Sequence, residues 1–424
     1  MSLEPTAVDA AAPAPAHPVR LVLTDDLERS RLTVFFRLLL AIPHFFWLGL
    51  FTIGAVFIAF INWWATLITG KSPKGLHDFL TGYVRYATQF FGYLYLAANP
   101  YPPFYLGSDQ SAYAVDVQID PPERQNRWVT GFRFILCIPA LVFSGVIAGG
   151  GSASSGGRGF STGGAMGLMS ILNWFSSMVR GRSPRGLRDF SAWALVYTAQ
   201  LYAYLFLLTD RYPHSDPLVF LRDEAQLGPP EPEGRAQAVS TDDLRRSRLS
   251  VFFRLPLAFP HIFWLLLWTV LAYLAAIVNW FFTLITGRPW QPLARFLSAY
   301  IRYDAHVNAF LWVVGNPFPG FVGAPGSYPI DIRMDPPGGQ NRWITGFKVV
   351  LVFPAFLVGS ALGWMLFIAA ILLWFSSLVR GRAPSGLQSA GVYAIGYGAQ
   401  VHAYLFALTD RYPHSSPLAV IGPT

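Results

Sequence analysis

The chain has 424 residues, of which 53% are hydrophobic and only 13% are charged, whereas soluble domains average about 25% charged residues. This balance argues against a soluble protein and predicts a membrane protein. The aromatic fraction of 16% agrees, because Trp and Tyr collect where a bilayer meets water. The arginines that give the net charge of +8 lie beside apolar segments, which favours anionic lipid over nucleic acid as a partner, although a GC-rich genome would also enrich arginine. A single cysteine, Cys137, excludes a disulfide framework and a Cys-based metal site.

The N-terminal segment does not look like a signal peptide. Residues 1–17 are rich in Ala and Pro and lack a basic start followed by a continuous apolar core. We therefore expect a disordered tail, with membrane entry depending on internal segments.

The remaining chain is a duplication of a duplication. "TDDLERSRLTVFFRL" from Thr24 returns as "TDDLRRSRLSVFFRL" from Thr241, and "TDRYPHS" occurs at Thr209 and again at Thr409. Within each half "FRLLLAIP" resembles "FRFILCIP", so the order is A-B-A′-B′. The predicted bounds are repeat 1 at 18–106, repeat 2 at 112–219, a linker at 220–239, repeat 3 at 240–321 and repeat 4 at 327–420.

Each copy opens with a short strand. In "YAVDVQID" the apolar Val115, Val117 and Ile119 alternate with polar residues, which predicts a half-buried strand. An apolar stretch of about 40 residues, a "GKSPKG"-like loop and an aromatic-rich helix follow. The predicted fold is mainly α, with four tandem repeats of strand, helical hairpin and interfacial helix.

The hairpin is inferred from the length of the apolar stretch. About 20 residues cross a bilayer once, so 40 predict two legs. Pro43 and Asn62 are 19 residues apart, but Pro139 and Asn173 are 34 apart, and the extra residues form a Gly/Ser loop with Arg158 that hydrocarbon would not accept. We therefore predict a turn there and, by homology, near Thr52 to Gly54.

Orientation follows from the charges at the open ends of the hairpins. These ends are basic, as at Arg31 and Lys71, which predicts cytoplasmic ends, cytoplasmic strands and a cytoplasmic N-terminus. If the aromatic helices lie in the interface the chain has eight spans; if they also cross, it has twelve.

The motifs "FFRLLLAIPHFFW", "TGKSPKGLHDF" and "YLFLLTDRYP" resemble a bacterial membrane family known as domain-of-unknown-function family 4389, present as four tandem copies from Pro18 to Pro417. Copy three departs from the pattern with "TGRPWQPLARF", and copy four with "GLQSA". The resemblance implies a bacterial cell membrane and no assigned activity.

One basic residue stands six positions before the helix proline in every copy, as Arg37, Arg133, Arg254 and Lys348. A cation inside an apolar helix must reach phosphate or a partner within the bundle. We interpret the four as candidate sites for anionic lipid headgroups, with simple anchoring of the helix as the alternative.

Other polar residues form two sets. His44 and His261 follow the proline in copies one and three, and could relay protons or serve structure. A second set occupies equivalent positions in the aromatic helices and is interpreted as interhelical hydrogen-bonding groups: Gln89, Gln200, His306 and Gln400.

The repeated exit sequence supplies candidate contacts with a partner protein or a lipid phosphate, or else a helix stop. These residues are Asp210, Arg211, Tyr212, Asp410, Arg411 and Tyr412.

No catalytic motif, cofactor fingerprint or metal-ligand spacing is present. The sequence therefore favours a non-enzymatic integral membrane protein that organises lipids or a membrane protein partner. A transporter or channel with pseudo-symmetric halves is the first alternative, and a lipid-modifying enzyme using His77 and Asp78 or Asp189 is the second.

Overall fold

The computed structural model describes residues 17–104, 113–149, 164–222 and 234–422. Most of the predicted tail, the Gly/Ser insertion and the centre of the predicted linker lie outside these residues. Within them the protein is mainly helical with two small sheets, as the sequence predicts.

The helices of the first half belong to copies one and two. Copy one contains α1 (Arg31–Phe35), α2 (Arg37–Thr69) and α3 (Lys74–Leu94). Copy two contains α4 (Arg127–Gly131), α5 (Arg133–Leu136), α6 (Ile138–Ala148), α7 (Gly164–Arg180), α8 (Arg185–Leu205) and α9 (Pro217–Arg222).

The second half repeats this order. Copy three contains α10 (Arg248–Phe252), α11 (Arg254–Thr286) and α12 (Gln291–Leu311). Copy four contains α13 (Arg342–Leu351), α14 (Phe353–Arg380), α15 (Ser385–Leu405) and α16 (Pro417–Val420).

The strands pair between copies. β1 (Val19–Leu23) runs antiparallel to β2 (Val115–Ile119), and β3 (Gln237–Ser240) runs antiparallel to β4 (Ile330–Arg333). Each strand of the first half packs on the aromatic helix of the other copy, β1 on α8 and β2 on α3. Two consecutive copies therefore share one sheet and form one structural half.

The predicted hairpins are wrong. α2 and α11 are each continuous over 33 residues, and α2 passes through Thr52 and Gly54 without a turn. The Thr52 hydroxyl bonds to the Leu48 carbonyl one turn earlier, and glycine alone weakens a helix by only about 1 kcal/mol. Even Pro43 lies inside the helix. The apolar stretch of copies one and three therefore forms one long helix and not two shorter legs.

The Gly/Ser insertion interrupts such a helix without reversing it. α6 has 11 residues, α7 has 17, and their counterpart α14 has 28. The ends of the two pieces meet, since a Cβ on Gly164 would lie 2.6 Å from the Gly149 nitrogen, and both pieces pack along α8 and α14. The count of eight spans and the cytoplasmic placement of both helix ends rested on the hairpins and lose their basis with them.

The aromatic helices form the centre of the protein. α3 packs against α8 and α12 against α15, and α8 and α15 are buried around most of their circumference. The expectation that they lie in a lipid interface is therefore wrong for these two helices. Their apolar surface, including the fully buried Trp193 and Tyr393, is covered by protein.

Candidate functional site

The four helix cations are all buried, with at most 2% of each residue exposed. Arg133 donates to the carbonyls of Tyr204, at 2.6 Å, and Thr209, at 2.7 Å. Arg254 donates in the same way to the carbonyls of Phe310 and Gly315. Arg37 donates to the carbonyls of Tyr93 and Ala98 in copy one, whereas Lys348 donates to a single carbonyl, that of Thr409, in copy four. Each cation lies over an aromatic ring of the same helix end, 4.2 to 5.1 Å from its centroid.

These contacts place a positive charge at the C-terminus of every aromatic helix. The last carbonyls of a helix have no partner within it and carry a partial negative charge, so each cation satisfies and neutralises a helix end. We call this arrangement the helix-end clamp. All four cations are buried and bonded to protein groups, although Arg254 Nη2 has no hydrogen-bond partner among the described residues. In this structure they are therefore not placed to contact the lipid headgroups proposed for them.

A second residue completes each clamp, and sequence reasoning missed it. The second residue after each aromatic helix adopts positive φ although it is not glycine, at Leu96, Leu207, Val313 and Ala407. Side chains from the start of the same copy bond to these four carbonyls: Arg29, Gln125, Arg246 and Gln340. The sequence contained a signal for these residues, because Arg29 in "DDLERSR" and Gln125 in "ERQNRW" stand at the same distance before the helix cation of their copy.

The aspartate of the repeated exit sequence belongs to the clamp. Asp210 accepts a bond from Arg133 at 2.7 Å, and Asp410 lies 3.1 Å from the Lys348 ammonium. Copy one has the uncharged Asn99 at this position, and its side-chain oxygen lies 3.5 Å from Arg37, which is a longer contact. The "TDRYPHS" sequence therefore distinguishes even copies, whose clamp includes a carboxylate, from odd copies. The two residues after each aspartate are exposed and remain candidates for contact with a partner: Arg211, Tyr212, Arg411 and Tyr412.

The same exit sequences join the two halves. Ser416 donates to Asp189 of copy two at 2.7 Å, and Ser389 of copy four donates to Asp216 at 3.0 Å. Each exit thus packs against the start of the aromatic helix in the opposite half. Because Asp189 is completely buried in this contact, it is not available as an acid or base at a lipid interface.

His44 and His261 are fully buried in matching surroundings. His44 Nδ1 lies 2.7 Å from the Tyr86 hydroxyl, and His261 Nδ1 lies 2.8 Å from the Tyr303 hydroxyl. Aromatic rings stack on both imidazoles. Each histidine therefore joins a long helix to its aromatic helix.

Three members of the second polar set bond to strands and not to neighbouring helices, so the interhelical interpretation is wrong for these three. Gln89 donates to Asp116 in β2, and Gln200 donates to the Val19 carbonyl in β1. His306 contacts Asp331 in β4 at 2.9 Å. Gln400 bonds to the Ala236 carbonyl beside β3 and also to the Ala419 carbonyl of the short helix α16. These residues hold each sheet on the central helices.

The long helices carry many exposed apolar side chains. α2, α11 and α14 are long and apolar enough to cross a membrane by length and composition, and the most apolar window of α2 and of α11 is only 17% buried within the protein. Exposed side chains run from Leu38 to Ile68 along α2. One narrow stripe, including Ala41, Leu48 and Ala55, faces the protein.

An exposed arginine followed by an exposed large apolar residue precedes each long helix. The apolar member is Trp128 or Trp343 in even copies, 78% and 80% exposed, and Leu32 or Leu249 in odd copies. Further exposed cations, such as Lys71 and Arg380, lie at the other end of these helices. Side chains of this kind anchor proteins at the boundary of a bilayer.

Comparison with known proteins agrees with the repeats. The sequence profile of DUF4389, described as a domain of unknown function, matches residues 31–105, 162–215, 248–322 and 342–416, which confirms four tandem copies. No curated protein and no solved structure matches the chain. Among the described residues, no group of three or more His, Cys, Asp or Glu side chains could hold a metal ion.

Proposed function

The chain belongs to the DUF4389 family, and we propose that it is a non-enzymatic membrane scaffold whose long helices lie along one leaflet of a bilayer instead of crossing it. The observation that carries this proposal is the position of charged residues beside the middle of the long helices.

The length of the apolar face fits poorly with crossing. Leu38 and Ile68 are both exposed and lie about 45 Å apart along α2 at 1.5 Å per residue. A hydrocarbon core is about 30 Å thick. A crossing helix would need a tilt of about 48° to keep this face in hydrocarbon, whereas observed tilts range from 0 to about 40°.

The charges beside the helix midpoint argue in the same direction. Phe79, near the start of α3, packs on Phe51 at 5.1 Å, close to the centre of α2. Its neighbour Asp78 has 60% of its side chain exposed, and Lys74 is also exposed. If α2 crossed a bilayer, both charges would lie near the midplane, where each costs about 2.5–3.5 kcal/mol or more.

Copy three repeats this arrangement. Phe296 contacts Trp268 near the centre of α11, and the preceding Arg295 is exposed. A helix lying in the leaflet avoids the difficulty in both copies, because its apolar side faces the acyl chains while α3 and α12 lie above it. The basic and aromatic residues at both helix ends then reach headgroups together.

In this arrangement the protein would organise anionic lipids around a rigid aromatic core. The exposed Arg211, Tyr212, Arg411 and Tyr412 would serve a membrane protein partner. We place the protein at the bacterial cell membrane, as the resemblance of the sequence implies.

Depth measurements by spin labelling test this placement. Cysteines at Phe46, Phe57 and Ile68, each 68% to 72% exposed, would carry the label in a Cys137→Ser background reconstituted into vesicles. Helices in one leaflet predict similar collision rates with oxygen and with a water-soluble nickel chelate at all three sites. A deep maximum at one site between two shallow ones would show that α2 crosses.

A further inference from the structure

A cleft of about 690 Å³ opens between the first turns of α3 and the end of β2. Its polar lining includes Lys71, Lys74, His77, Thr81 and Arg85. Phe79, Tyr83 and Tyr86 on the same helix contact α2 instead. The cleft therefore lies on a different side of α3 from the long helix, and its volume is within the range of small-molecule sites.

The equivalent position is filled in both even copies. A Cβ on Gly186 would lie 2.7 Å from the Ser415 hydroxyl, and one on Gly386 would lie 2.6 Å from the Ser215 hydroxyl. These are the exit segments that join the halves. At Gly75, the matching residue of copy one, nothing lies within 4 Å. Copy three has Pro292 at this position, so among the described residues the open glycine is found only in copy one.

Two side chains that line the cleft have a buried polar atom without a hydrogen bond of good geometry. His77 is 3% exposed and lies near Asp78 and the Leu208 carbonyl, but its Nε2 makes no hydrogen bond of good geometry in the described structure. The buried Thr81 hydroxyl also has none. α3 begins after Pro73, which offers no side-chain cap, so the amides of its first turn are free to bind an anion.

The charges in the cleft favour an anionic ligand. Asp116 is bonded to Arg85 at 2.6 Å, so these two charges satisfy each other. Lys71 and Lys74 are both exposed, and only Asp78 opposes them, from a side chain that is 60% exposed at the rim. Two lysines and a helix N-terminus together leave the cleft positive.

We propose that this cleft binds a phosphate group, supplied by a soluble phosphate ester or by a phospholipid headgroup. The amides at Gly75 would contact the phosphate oxygens, His77 and Thr81 would donate hydrogen bonds, and Lys74 would supply charge. This site does not depend on how the long helices meet a membrane. In the even copies, a serine-bearing segment of the protein itself occupies the same place.

Isothermal titration of the full-length protein in detergent tests the site. The probes are inorganic phosphate, glycerol 3-phosphate and dihexanoyl phosphatidic acid. The variant Lys74→Gln/His77→Ala gives copy one the residues found at the equivalent positions of copy three, Gln291 and Ala294, so the fold accommodates them. Arg295→Gln is the control, because it removes a charge from the same turn of α12.

Saturable binding to the wild type and to the control, weakened at least tenfold in the double variant, is the expected result, since a hydrogen bond to a charged group contributes about tenfold or more. Tighter binding of phosphatidic acid would identify a headgroup site, and equal or tighter binding of the soluble phosphates would identify a soluble ligand. Absence of saturable binding, or equal affinity in the double variant, would overturn the proposal. Thermal unfolding without ligand confirms that the variant is folded.

Discussion

Replacing Arg133 by Gln tests whether the helix-end clamp stabilises the fold. Arg133 is 1% exposed and donates to two carbonyls and to Asp210, all within 2.7 Å. Removing it leaves buried acceptors without donors, which costs about 3–5 kcal/mol for a broken buried pair. At about 2.1 cal/mol/K per residue the unfolding entropy of the whole chain is about 0.9 kcal/mol/K. We therefore expect the Tm in detergent to fall by about 3–6 °C.

Two comparisons make this result interpretable. Asp210→Asn gives copy two the amide that copy one carries as Asn99, and it should cost about 1 kcal/mol because 32% of that side chain is exposed. Arg127→Gln removes an exposed arginine of the same copy and should leave the Tm nearly unchanged. Equal shifts for Arg133→Gln and Arg127→Gln would refute the clamp as a source of stability.

Two further predictions concern the junction of the halves and the second sheet. Gly186→Ala should lower the free energy of unfolding by about 1–3 kcal/mol, because its Cβ would lie within 3.0 Å of Ser415. Gly75→Ala, where the space is open, should be neutral or stabilise by up to about 1 kcal/mol. Similar losses in denaturant titrations of both variants would contradict the described junction. Burial opposes charge on Asp331, but bonds from His306, the Gly326 amide and the Ile332 amide outweigh it and lower the pKa of this carboxyl. Its contribution of about 1.5–3 kcal/mol should therefore be present above pH 4 and disappear as the pH falls through the folded-state pKa, and an unchanged pH profile of Tm in Asp331→Asn would contradict this.

Local patterns in the sequence predicted the repeats and the strands well. Alternation in "YAVDVQID" gave β2, where Val115 and Val117 are buried and Gln118 is exposed, although Asp116 on the polar side is buried as well. The equal spacing of basic residue and proline marked the four clamp cations. Such features depend on residues that are close in the chain, so the spacing of residue types along the sequence predicts them directly.

Long-range features were not predictable in this way. A stretch of 40 apolar residues fits two crossing legs or one long helix equally well in composition, and no residue near Thr52 decides between them. The closest partners of Arg37 and Arg254 are backbone carbonyls, which leave no trace in side-chain identity. The exit serines contact Gly186 and Gly386 of the opposite half, and a contact between such distant parts of the chain leaves no local pattern in the sequence.

The most direct test of the leaflet arrangement compares the two ends of α2. Ser30, which precedes α1 ahead of α2, and Lys71, which follows α2, are both exposed. Each would be replaced by Cys in a Cys137→Ser background. A membrane-impermeant thiol reagent is then applied to intact cells and to opened membranes. Helices that lie along one leaflet predict the same result at both sites, labelled or protected together. Labelling of one site and protection of the other in intact cells would show that α2 crosses the membrane and would contradict the proposal.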